Sequence, residues 1–401
     1  MISAQRKSNS ARLAAAALVL ACVWVVHAKA KGPPSDMRRL QGQFQVRLDA
    51  LRAEHGFPGA TAAFILRDGR MAAIATGMAD VEKSIPMRPD SVMPAGSIGK
   101  SFVAAVVLDL VREGELELDG KVAKWFSQDD WYPRLPNAAD ITIRMLLNHS
   151  SGLSDYLIAD RMFMGLLETV SKDTPFPYSP VQMMQELADR HPLFPAGEGF
   201  GYTDSNYILL GLIIERVAGK DYYDVLDERF LRPLLLTGVS PCNRKAIPHL
   251  ASGYMPEDNR FRLPRKIAED GKLVYDPSFE WTGGGLATTA KELARWARIL
   301  YGGEAMKTLY LKEMIDSANG DMAEHGFQYG LGVQLMKMSP GTVYGHGGWI
   351  FGYTAGMYYF PEHGFAVAIQ INQVDRGYAK YAEALAEVVL SWQGDLSNPG
   401  P

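Results

Sequence analysis

The chain is poor in cysteine, in excess charge and in long apolar runs. Of its two cysteines, Cys22 lies in an N-terminal apolar run, so loss of that segment leaves Cys242 alone. A lone thiol forms no internal disulfide, and the chain must take its stability from its core. Cys242, with no basic neighbours in sequence, reads as a structural thiol. The formal net charge is −4, which excludes binding to a polyanion as a main task. The apolar run Leu13–Val26 is shorter than the ~20 residues a membrane span needs. His149, His191, His325 and His363 show no metal-ligand spacing, and Glu324-His325 lacks a partner histidine. No repeat and no low-complexity tract is evident beyond the N-terminal run. What remains is 47% hydrophobic and 21% charged, enough for a large core.

Arg6, Lys7 and Arg12 precede the apolar run, and Ala28-Lys29-Ala30 and Val26-His27-Ala28 both suit cleavage. Residues 1–30 therefore read as a secretory signal and the mature chain as exported, periplasmic or secreted; contact with a membrane follows only if the signal stays attached. A helix is expected over 37–55. The apolar runs 61–66 and 71–76 flank Arg67-Asp68-Gly69-Arg70, a hairpin with Asp-Gly turn chemistry. Helical periodicity dominates the middle, at 97–113, 142–148, 180–191, 205–218 and 221–231, with 156–178 and 255–275 as loops, and returns at 289–301 and 304–317. Strand patterns follow at 329–337, 354–360 and 364–372, then a helix at 379–392. Short turns between the last strands predict antiparallel pairing. The fold expected is α+β: residues 35–96 and 280–395 form an α/β domain, an antiparallel sheet flanked by terminal helices, and 97–279 form an inserted, mainly helical domain.

Three motifs carry chemistry. Ser97-Ile98-Gly99-Lys100 enters an apolar helix. Ser and Lys three apart share a helix face, so an amine stands beside a hydroxyl and can help activate it. The helix start offers free N–H groups to a developing negative charge. Such a tetrapeptide arises by chance about once in a chain of this length. The second motif, Gly199-Phe200-Gly201-Tyr202-Thr203-Asp204, delivers Tyr202 and Asp204 to the next helix. A tyrosine near a lysine cation is expected to have a lowered pKa and to move protons; alone, the pair reads better as a packed tyrosine and a helix cap. The third, Tyr344-Gly345-His346-Gly347-Gly348-Trp349, is placed just before a strand, where glycines admit a ligand close to the backbone. Alone, it reads as a glycine-rich hairpin with an incidental histidine.

As an ordered set the motifs resemble the serine β-lactamase-like hydrolases: class C β-lactamases, DD-carboxypeptidases, D-aminopeptidases and related esterases. The stretches Ile141–Leu153, with its Asn148-His149-Ser150-Ser151-Gly152 core, and Gly283–Thr289 are similar to that superfamily too. The resemblance implies a β-lactamase/transpeptidase-like fold and a cofactor-free, metal-free mechanism. It implies Ser97 as nucleophile, Lys100 as its activating lysine and Tyr202 as proton shuttle. The backbone N–H groups of Ser97 and Trp349 would form the oxyanion hole, and Asp204, His346 and Gly348 would bind substrate. Asp204 stands where the family usually has Asn, and its carboxylate should hold Lys100 protonated and favour substrates carrying an amine. His346 stands in place of a lysine and weakens the grip on a substrate carboxylate at neutral pH.

The reading is an acyl-enzyme hydrolase of D-amino-acid peptides, peptidoglycan-derived ones included, or of small esters, with no nucleic-acid partner. The alternatives are a class C-like β-lactamase, a non-catalytic penicillin- or peptide-binding protein, and an α/β-hydrolase-type esterase. Against the last, Gly96-Ser97-Ile98-Gly99 lacks a preceding core strand, and the chain lacks a βαβ rhythm.

Overall fold

The computed structural model describes residues 35–397 apart from 307, 321 and 340; the secretory signal expected at 1–30 lies outside the described residues. The chain divides into two compact units, residues 1–42 and 43–401. Of the first, only the opening turns of helix α1 (Ser35–His55) are described.

The apolar runs at both ends of the chain pair with each other. β1 (Gly59–Ile65), β2 (Met71–Asp80) and β3 (Ile85–Pro86) come early; β4 (Gln328–Tyr329), β5 (Gln334–Met338), β6 (Gly341–Ile350), β7 (Tyr353–Phe360) and β8 (Phe365–Ile371) come late. They form one eight-stranded antiparallel sheet in the order β3-β2-β1-β8-β7-β6-β5-β4. The first and last strands lie side by side at its centre, with Ala63 opposite Ala368 and Phe64 opposite Val367. Side chains alternate across a strand, so these pairs face opposite ways. Phe64 meets Phe44 of α1 edge-on at 4.9 Å. The small alanines face the other side and let helix α5 (Ala290–Tyr301) lie against β1, β7 and β8. Helix α6 (Tyr378–Ser397) packs on β7 and β8. Because β8 is buried on both faces, its sequence is apolar almost throughout rather than alternating.

Between these ends run helices α2 (Gly99–Arg112), α3 (Asp160–Ser171) and α4 (Asp204–Ala218) and shorter turns. α2 is buried along nearly its whole length, and its core includes a stack of Phe102 on Trp296 of α5 at 4.2 Å. Thr203 caps α4, and Gly219, in the left-handed conformation, ends it.

Several expectations are corrected. The stretch 156–178, read as a loop, contains α3. The helix expected over 180–191 stops at Gln185, and the strand over 329–337 is divided between β4 and β5. The third motif does not precede a strand; it lies within β6. Its glycines looked like turn residues but serve close packing inside the sheet: a Cβ on Gly347 would sit 2.3 Å from the Tyr378 hydroxyl, and one on Gly348 only 1.9 Å from the Ala95 carbonyl oxygen. Cys242 is buried and unpaired, and burial pushes its thiol pKa up, as befits a structural thiol.

Candidate active site

Gly96 has φ +53° and opens a tight 3-10 turn, Gly96–Ile98, that runs into α2. A Cβ there would approach the Trp349 backbone nitrogen at 2.7 Å, so glycine suits both the backbone angle and the contact. The turn holds Ser97, half-buried, at a helix entrance where N–H groups have no helical acceptor. The hairpin β6–β7 turns on two residues between the pair Ile350 and Tyr353. Hydrogen-bonded pairs then alternate back along the ladder, so Trp349 directs its N–H away from β7, towards the side where Gly96 and Ser97 lie. Ser97 and Trp349 thus present backbone to the same gap.

Lys100, one helical turn past Ser97, is fully buried. Its Nζ donates to Ser97 Oγ at 3.1 Å, to the Gly283 carbonyl oxygen at 2.5 Å and to Asp204 Oδ1. An ammonium has three hydrogens, and each has an acceptor. Burial alone would lower the lysine's pKa, but the Asp204 carboxylate paired with it more than reverses this and raises it. Lys100 is therefore a cation with no lone pair to accept the Ser97 proton.

The carboxyls around it come from three places. Asp204 begins α4. Asp155 accepts the Asp204 N–H at 2.9 Å, and burial raises its own pKa. Glu280 is buried; desolvation first, then the nearby Asp204, push it up to about 8 against the pull of Lys100. Sequence reasoning missed Glu280, although it lies just ahead of the Gly283-Gly284-Gly285 run. That run brings the Gly283 carbonyl to Lys100, and a Cβ on Gly284 would sit 2.6 Å from Glu280 Oε2.

Tyr202 lies beside the lysine, with Nζ 5.1 Å from its ring centre. The lowered pKa expected for it is not found. Loss of water around the phenol pushes it up to about 12 and outweighs the Lys100 charge, and the Asp204 charge adds to the rise. The ring is nevertheless 39% exposed, so Tyr202 borders solvent. Trp349, 40% exposed, is the other open aromatic close to Ser97.

His346 was expected to face substrate, with a charge that titrates near neutral pH. It is instead fully buried, its Nε2 2.8 Å from the Tyr329 hydroxyl and its Nδ1 2.5 Å from the Gly347 carbonyl oxygen. Burial, helped by Lys100, pushes its pKa down to about 3, so it carries no charge. Gly348 packs on Ala95 rather than lining the opening, and Asp204 is engaged by Lys100. The structure thus brings Ser97, Lys100, Tyr202, Asp204 and the Trp349 backbone together and sets His346 and Gly348 behind them. His149 also belongs to this cluster: it is buried, with its ring centre 4.3 Å from that of Tyr202.

Comparison with known proteins places the chain in a family. The beta-lactamase family model matches residues 44–390, and the chain belongs to that family. The fold and family define a serine hydrolase. Penicillin-binding protein 4* of Bacillus subtilis is 26% identical over 335 residues, which are 79% of this chain and 69% of that one. A D-aminopeptidase of Brucella anthropi is 24% identical over 358 residues, 84% of this chain and 63% of that protein, so the chain spans less than two thirds of this relative. Among solved structures, a D-stereospecific amidohydrolase from Streptomyces superposes with a TM-score of 0.72 at 26% identity, covering 87% of this chain and 97% of the other.

Proposed function

We propose that the protein is an exported amidase of D-amino-acid amides and short peptides with a free amine, acting through an acyl group on Ser97. The observation that carries this reading is the saturated Lys100 ammonium. It donates to Ser97 Oγ, which leaves the Ser97 hydroxyl hydrogen free to point to Tyr202. Tyr202 is neutral and serves as a relay. As Ser97 Oγ bonds to the carbonyl carbon, its proton passes to the Tyr202 oxygen while Tyr202 hands its own proton to the amide nitrogen in the same step, and the protonated nitrogen then leaves as the C–N bond breaks. The carbonyl oxygen takes up the charge between the N–H groups of Ser97 and Trp349. Water then enters by the reverse relay and frees the acid and Ser97.

Two features support the substrate class. Lys100 is matched by the Asp204 carboxylate, with Asp155 against the Asp204 N–H, so no uncompensated positive charge is left and the site favours an amine over an anion. Lys100 is saturated and His346 is neutral, so neither holds a C-terminal carboxylate. This ranks amides and aminopeptidase-type substrates above D-Ala-D-Ala carboxypeptidase substrates and β-lactams; small esters use the same acyl chemistry. The N-terminal basic and apolar segment supports export.

The test is a substrate panel of D-aminoacyl amides, p-nitrophenyl esters, D-Ala-D-Ala peptides and a chromogenic cephalosporin, run on the native protein, Ser97→Ala and Asp204→Asn. D-aminoacyl amides should turn over best. Ser97→Ala should lose activity and labelling by a fluorophosphonate. Asp204→Asn should cost amine-bearing substrates more than neutral esters. Best turnover on D-Ala-D-Ala peptides or the cephalosporin would overturn the substrate class, and labelling of a different serine would overturn the nucleophile.

A further inference from the structure

His149 touches Tyr202 from three directions at once. Its carbonyl oxygen accepts the Gly201 N–H at 2.9 Å, its Nδ1 accepts the Thr203 N–H at 3.3 Å, and its ring lies against the Tyr202 ring between them. The residues before, at and after 202 are thus all held by one side chain and its backbone. On its other sides the imidazole is backed by Tyr207 and Tyr329, at 5.3 and 4.7 Å between ring centres.

The tautomer follows from the neighbours. Ser151 Oγ donates to Asn206 Oδ1 at 2.6 Å, which turns the Asn206 amide NH₂ towards His149 Nδ1, 3.1 Å away. Nδ1 receives two N–H groups and must be the unprotonated nitrogen, so the ring proton sits on Nε2. Nε2 is buried and has no partner among the described residues. With Nδ1 engaged and Nε2 protonated, the ring has no free lone pair with which to take a proton from Tyr202. His149 also has φ +59°, in the left-handed region that Asn, Asp and His adopt more readily than other residues with side chains. An orphaned buried N–H is a poor choice for a residue that only fills core space.

We propose that His149 is a positioning residue: by holding residues 201–203 it fixes the Tyr202 hydroxyl between Ser97 and the leaving group. This rests on Tyr202 being the proton relay. An error near 1 Å in such a group can cost on the order of 10²-fold in rate.

A double-mutant cycle tests it, with kcat and KM measured on a D-aminoacyl amide. In Asn, the side-chain oxygen takes the place of Nδ1 and the left-handed backbone is tolerated; in Gln, the acceptor is moved one bond outward. His149→Gln should lower kcat on the order of 10²-fold with little change in KM, and His149→Asn should recover most of that loss. In a Tyr202→Phe background neither substitution should cost anything more. If Gln fails to fold, His149→Gly suits the backbone and opens a space: added imidazole should restore kcat when Tyr202 is present and have no effect when Phe replaces it. Equal losses in both backgrounds, equal impairment by Asn and Gln, or imidazole rescue without Tyr202 would each overturn the proposal. If Tyr202→Phe keeps full kcat, the relay itself falls; if Tyr202→Phe is crippled and the His149 losses simply multiply with it, only the positioning role falls.

Discussion

At Glu280 a carboxyl is buried where its neighbours are also acids. Its ordinary pKa is 4.5, and in the folded protein it is pushed up to about 8. Between these values the native state holds a proton that the unfolded chain has released. Stability from this group is therefore fully present below about pH 4.5 and is lost as pH rises through about 8. Glu280→Gln removes the titration. The variant's melting temperature should fall less than the native protein's between pH 5 and pH 9, as followed by circular dichroism; parallel curves would refute the assignment. Neither Lys100 nor His346 changes charge in that window, so neither should put a limb on the kcat/KM profile there. The same crowding of acids explains why the fate of Tyr202 was hidden in the sequence. Its proximity to Lys100 was legible from the motif order, but the sequence does not show how far burial and Asp204 cancel the lysine's field.

Among the elements, the serine turn and β6 depend on each other through glycine. Gly348→Ala places a methyl group 1.9 Å from the Ala95 carbonyl oxygen, where only backbone can give way. Displacing β6 should cost about 1–3 kcal/mol in a urea titration and on the order of 10²-fold in kcat. Full activity in this variant would show that the strand can move without disturbing the Ser97 turn. Element type was legible where periodicity was strong, as in α1, α4, α5, α6 and the Asp68-Gly69 hairpin. It failed where one residue type serves two ends. The glycines of β6 were read as a turn because glycine usually breaks a strand, whereas here Gly347 makes room for Tyr378 and Gly348 for Ala95. The set Ser97, Lys100, Tyr202 and Asp204 was legible because each member opens a helix or ends a glycine-rich loop. Glu280 was passed over because a lone acid carries no spacing to betray it, and His149 was legible only as part of the Asn148–Gly152 stretch; only tertiary packing turns them towards the lysine and the tyrosine.

In the whole molecule, the sheet is closed at its centre by the first and last of its strands. Deleting β8 and all that follows it bares one side of β1 and β7 together and removes α6. A chain ending at Phe360 should show no cooperative urea transition, whereas Phe64→Ala in the full chain should keep a single transition and lose about 3–5 kcal/mol. A cooperative transition in the shortened chain would mean that the central pairing is dispensable.

That closure also sets a clock on synthesis. Ser97 and Lys100 are made early, but the strand that brings the Trp349 backbone to them and the strand that covers β1 are among the last. A growing chain therefore carries Ser97 and Lys100 well before the strand that faces them is made. Over the same interval β1, buried along its whole length in the finished protein, waits with an unpaired apolar edge. The arrangement assembles this region late, and it makes the nascent chain a natural client for whatever keeps such edges apart until β8 arrives.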